Sequence, residues 1–142
     1  MEAIYTDRLF SINQKIRKNL ENIIDVSRTI KNCTQAQIIT FLIDNANKSI
    51  YQKDICEALK LKKSSITEQL DYLQTKDIIE RIVDRRDKRR NRIKLTEQSL
   101  ERIKEIHKMI NDFNLNLIKG ISEEELKSFI TVLDKIEKNL KG

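Results

Sequence analysis

The chain has 142 residues, 39% apolar and 35% charged, with a formal charge of +6. That length supports one domain with a substantial core, and that apolar fraction excludes a disordered chain. No apolar run reaches bilayer length, the N-terminal MEAIYTDRLF lacks the basic-then-apolar order of a secretory signal, and Cys33 and Cys56 have neither disulfide-scaffold nor zinc spacing.

A cytoplasmic protein without cofactor or metal is therefore expected. Proline is absent and glycine occurs twice, so helices should be long and connections short. Four capping-box patterns mark the expected helix starts: Thr34-x-x-Gln37, Ser49-x-x-Gln52, Ser65-x-x-Glu68 and Ser122-x-x-Glu125. Gly120 stands where a helix end wants a left-handed residue.

A first helix is expected on the stripe Tyr5, Leu9, Ile12, Ile16, Leu20, Ile23, Val26 and Ile30, whose spacing of three or four makes one apolar face. A second runs from Thr34 to about Ala46, a short third from Tyr51 to Leu59, and a fourth from about Ser65 to Lys76. The period then changes. Ile78 to Val83 is a β-branched run of strand length, and Ile93 and Leu95 alternate with Arg92 and Lys94. Two long helices close the chain, one carrying Leu100, Ile103, Ile106, Ile110, Phe113 and Leu117, the other Leu126, Phe129, Ile130, Leu133, Ile136 and Leu140.

Between the two strand-like pieces lies DRRDKRRNRIK, in which seven basic residues against Asp84 and Asp87 leave +5, so the rest of the chain is nearly neutral. Apolar flanks make this run the tip of a β-hairpin, and its charge suits phosphate binding better than general solubility. Two helices, a tight turn, a helix and a basic hairpin give the order of a winged helix-turn-helix, in which the helix enters the major groove and the hairpin reaches the backbone or minor groove. The fold class expected is mainly α (α+β).

In the fourth helix Ile66, Leu70 and Leu73 share a core-facing side. The opposite side carries Ser64, Glu68, Asp71 and Thr75, with Ser65, Gln69 and Tyr72 along one flank. Ser64, Ser65 and Thr67 can donate to or accept from base edges, Gln69 suits adenine, and Glu68 can accept from a cytosine amino group. Lys60, Lys62 and Lys63 fall in the turn before the helix, where phosphates would lie. Asp71 is discordant, because phosphates repel it. No nucleophile and base pair, paired carboxylates, Gly-rich phosphate loop or metal cluster stands out, which argues against an enzyme. Interleaved aromatics for stacking single-stranded RNA are also missing.

These residues resemble the MarR family of transcriptional regulators in register over residues 33 to 99. CTQAQIITFL is similar to the family's T-x-x-Q-x-x-x-L start to its second helix. YQKDICEALKLKKSSITEQLDYLQTKDIIER resembles its helix-turn-helix, and DKRRNRIKLT its wing motif, D-x-R with Leu-Thr six residues beyond the Arg. Two positions depart from it: Asp77 stands for the family's Gly after the recognition helix, and Ser99 for the Gly of L-T-x-x-G.

The resemblance implies a homodimer on a pseudo-palindromic double-stranded DNA operator. In it Arg89 enters the minor groove and Asp87 orients Arg89. Within a single domain over 1–142, segments 1–32 and 97–142 would form the helical dimerisation region and 33–96 the DNA-binding region. Three long amphipathic stripes on so small a protein independently favour burial against a second copy.

The expected DNA-contacting residues are Lys62, Lys63, Ser64, Ser65, Thr67, Glu68, Gln69 and Tyr72 from the helix and its turn. From the wing they are Arg85, Arg86, Asp87, Lys88, Arg89, Arg90 and Arg92. The function expected is repression of transcription. The resemblance also admits a small-molecule effector, whose identity the sequence does not give. Cys56 reads as a small core residue, Cys33 as an apolar-type position and His107 as packing beside its stripe. The competing reading is a winged-helix module that binds a protein partner and holds polyanions without sequence preference.

Overall fold

In the computed structural model, residues 4–140 are described. Helix α1 spans Ile4–Ser27, α2 Cys33–Asp44, α3 Gln52–Leu59 and α4 Lys63–Thr75; strands β1 (Ile79–Val83) and β2 (Asn91–Leu95) follow. A single 3-10 turn, Glu97–Ser99, leads into α5 (Leu100–Leu117), and α6 covers Glu123–Asn139. The mainly helical winged arrangement is the one expected. The chain divides into two compact units, one up to Ile110 and one from Asn111 on.

In the first unit the core gathers the faces that the sequence periodicity marked. Ile66, Leu70 and Leu73 of α4 are fully buried beside Ile38, Ile39, Ile55, Ile78, Ile79, Ile103 and Ile106. Burial of each such side chain contributes about 1.5–3 kcal/mol, which fixes α4 with its other side outward. The hairpin pairs antiparallel from Ile79 with Leu95 to Val83 with Asn91. A third edge joins it, because the Ile93 N–H donates to the Ile50 carbonyl at 2.8 Å and Tyr51 bridges to Arg92.

Three of the four capping boxes are not formed. Asn32 caps α2 through Oδ1, which accepts the Gln35 N–H at 2.9 Å. Before α3, the Asp54 carboxylate accepts the Tyr51 N–H at 2.9 Å, so Ser49 lies outside the helix start. Lys62 occupies the cap position of α4 without a side-chain bond, and Lys63 is its first helical residue rather than part of the turn. In each case the observed cap, Asn32, Tyr51 or Lys62, lies two or three residues before or after the Ser or Thr. The Ser122 box forms as expected, with the hydroxyl accepting the Glu125 N–H at 3.1 Å and Glu125 accepting the Ser122 N–H at 3.0 Å. The backbone bond holds the Glu125 carboxyl below its usual range.

Ile30 is buried but lies beyond α1, which ends before Arg28 turns left-handed at φ +53°. Asp77 takes φ +55°, the conformation the family's Gly would supply. Ser99 is buried, with its hydroxyl 3.0 Å from the Ile78 carbonyl and 2.9 Å from the Thr96 hydroxyl, so a side chain stands where the family has none. His107 is more than packing, since its Nε2 lies 3.0 Å from Asp44 Oδ1 and ties α5 to α2. Cys33 and Cys56 are both free thiols, half-buried against the core.

Helix α1 leaves Ile4, Tyr5, Leu9, Phe10 and Ile12 exposed. In the second unit, Gly120 turns at φ +81° before α6. Helix α6 itself buries no residue and exposes Phe129, Ile130 and Val132. Among the described residues no helix is long and apolar enough to cross a membrane.

Candidate nucleic-acid interface

A three-residue turn, with Lys60 left-handed at φ +55°, joins α3 to α4 and presents the α4 N-terminus outward. Lys62, Lys63, Ser64, Ser65 and Glu68 are exposed there. The other three helix residues of the expected set are held. Thr67 Oγ1 donates to the Lys63 carbonyl at 2.8 Å and accepts from Gln52 Nε2 at 2.6 Å. Gln69 directs its carbonyl oxygen to α2, where Asn32 Nδ2 and Gln35 Nε2 donate to it at 2.9 and 3.0 Å. Tyr72 is half-buried, with the ammonium groups of Lys31 and Lys76 at 5.7 and 5.8 Å from its ring centre.

Asp71 has a partner that removes the discord: Arg81 of β1 donates to its carboxylate and to Gln74 Oε1, both at 2.8 Å. The charge facing Asp71 thus comes from the wing stem. This strut fixes the wing against α4.

At the wing tip the chain reverses through two aspartate turns. Asp84 Oδ1 accepts the Arg86 N–H and Asp87 Oδ1 accepts the Arg89 N–H, each at 3.0 Å. Asp87 also accepts from Arg89 Nε at 3.3 Å. The Arg89 side chain is 93% exposed. Arg85, Arg86, Lys88 and Arg90 are exposed beside it, and Arg92 is half-buried in the stem.

Tyr51 secures the base of this tip. Its hydroxyl donates to Asp84 Oδ2 at 3.1 Å, and Arg90 lies over its ring at 3.7 Å. The Arg86 N–H, ahead of Tyr51 and the nearby guanidinium groups, holds the Asp84 carboxyl below its usual range. A cleft of about 710 Å³ opens between α3, the start of α4 and the wing. It collects Lys63, Arg89 and Arg90, which the sequence indicated, with Tyr51, Gln52 and Arg81, which it did not. Tyr51 read as the first residue of a helix, and nothing in the spacing marked it as a sheet edge. Among the described residues no group of three or more acidic, His or Cys side chains could hold a metal ion.

A MarR-family sequence profile matches residues 25–90, the segment that holds α2 to α4 and most of the wing. The winged core is thus similar in sequence to the MarR family over residues 25–90. Over 99% of both chains, the fold is similar to that of MepR from S. aureus in its DNA complex, with a TM-score of 0.86 at 22% identity. The MarR regulator of Oenococcus oeni gives a TM-score of 0.82 at 22% identity, over 94% of this chain and 98% of that one. A MarR protein of Peptoclostridium difficile gives 0.76 at 20% identity, over 98% and 88% of the two chains.

Proposed function

We propose that this chain is a homodimeric, sequence-specific double-stranded DNA-binding regulator that represses transcription by occupying a promoter in the cytoplasm, without catalysing a reaction. The observation that carries the reading is the shared cleft, in which the α4 start and the wing present Lys63, Arg89 and Arg90 together. A helix start with exposed Ser64, Ser65 and Glu68 suits base edges in the major groove. A cationic tip with an outstretched Arg89 suits the minor groove and its phosphates. The likeness to a fold solved on DNA supports the same reading.

Dimerisation rests on the apolar residues that α1 and α6 each leave exposed, which a second copy would cover. Two recognition helices would then sit about one helical turn of DNA apart, ~34 Å, and a small molecule that altered that spacing would lower affinity.

The test is selection from random-sequence duplex DNA at near-physiological salt. An enriched inverted repeat with half-sites one turn apart supports the reading. Recovery without enrichment leaves electrostatics alone and points to the protein-partner module.

A further inference from the structure

The amide of Gln69 has its orientation set by two backbone N–H groups elsewhere in the fold. The Lys31 N–H donates to Gln35 Oε1 at 2.7 Å. The other end of the Gln35 amide is therefore its donor, Nε2, and this end reaches Gln69 at 3.0 Å. The Gln35 N–H donates to Asn32 Oδ1 at 2.9 Å, so Asn32 Nδ2 is likewise a donor, and it reaches Gln69 at 2.9 Å. Both need an acceptor, and the only accepting atom of Gln69 is Oε1. Gln35 is 1% exposed, so turning the Gln69 amide over would set donor against donor where water cannot intervene.

We propose that Gln69 takes part in DNA recognition as a hydrogen-bond donor only, through Nε2, and so selects acceptor-rich base edges rather than adenine's mixed edge. The proposal rests on the DNA-binding reading and gives it a specificity rule. An unconstrained glutamine grips adenine with both ends, Oε1 accepting from N6 and Nε2 donating to N7. Here both lone pairs of Oε1 are engaged, and the adenine amino group finds no acceptor. Guanine offers O6 and N7, and thymine offers O4, all of which accept from Nε2. Asn32 and Gln35 thus act as positioning residues for a base contact that they do not make.

Two measurements test this. In the free, 15N-labelled protein, the side-chain amide protons of Gln35 and Asn32 should exchange slowly with water and those of Gln69 quickly. Slow exchange at Gln69 with fast exchange at Gln35 overturns the assignment, and this arm does not depend on DNA.

The second is selection from random duplexes with the wild type, Gln69→Ala and Gln69→Glu. Glu at this position still accepts from Asn32 and Gln35 but has no donor. Both variants should lose a preference of about three- to tenfold at one position of each half-site. That position should be a G·C pair sensitive to 7-deazaguanine, or an A·T pair indifferent to loss of the adenine 6-amino group. An A·T preference that needs the 6-amino group overturns the proposal. So does retention of the preference in Gln69→Glu, which would make Gln69 only a brace. No enrichment by the wild type would remove the DNA-binding reading, with the exchange result still separating the two failures.

Discussion

The guanidinium of Arg90 lies 3.7 Å from the centre of the Tyr51 ring, and the hydroxyl of the same tyrosine holds Asp84 at 3.1 Å. One residue at the edge of the helix-turn-helix thus grips both ends of the wing tip. Tyr51→Ala should weaken DNA binding while leaving the preferred sequence unchanged. Exposed contacts of this kind are each worth about 0.5–1 kcal/mol, so a loss of roughly tenfold in affinity is expected in a titration. Tyr51→Phe keeps the ring and should lose less. Equal losses in the two variants would assign the effect to the hydroxyl alone.

Arg89→Ala should lower affinity and reduce the steepness of its salt dependence by about one unit of log–log slope, as expected for one lost phosphate contact. Binding isotherms at several salt concentrations measure this. An unchanged slope and affinity would take Arg89 out of the mechanism, despite its exposure and its bond to Asp87.

Arg81→Ala should cut both the Asp71 and the Gln74 bonds of the strut. With Asp71 largely exposed, the stability lost should be no more than about 1 kcal/mol in a denaturant titration. DNA affinity should fall further than stability does, because the wing would no longer be registered to the recognition helix. Stability loss with full affinity would show that the strut serves the fold only.

The lowered Asp84 carboxyl carries a definite pH sign. A carboxyl depressed in the folded state adds stability above its unfolded value, and that stability is lost as pH falls through the folded one. The wing tip should therefore hold across neutral pH and loosen only below the ordinary aspartate value of about 3.9. NMR titration of the Asp84 carboxyl checks this, and a midpoint above that value would contradict the turn geometry.

The core faces were legible in the sequence because periodicity is a property of the chain itself. Ile66, Leu70 and Leu73 had to point one way, and Leu70→Ala should cost about 2–5 kcal/mol in thermal unfolding. The hairpin was legible because the helical period gives way to a β-branched run at Ile78 to Val83 and to alternation at Ile93 and Leu95. Partners distant in sequence were not legible. Gln69 meets residues 34 and 37 positions away, and Tyr51 meets Asp84 33 positions away. Local capping patterns were an incomplete guide too: Asn32 and Lys62, not the nearest Thr or Ser, hold the cap positions of α2 and α4.

The most direct test of sequence-specific binding compares the selected duplex with a scrambled one of equal length and charge, by titration at about 150 mM salt. The wild-type protein should bind the selected duplex at least ~1,000-fold more tightly, with two chains per duplex. Equal affinity for the two duplexes would contradict the account and leave a basic winged module without an operator.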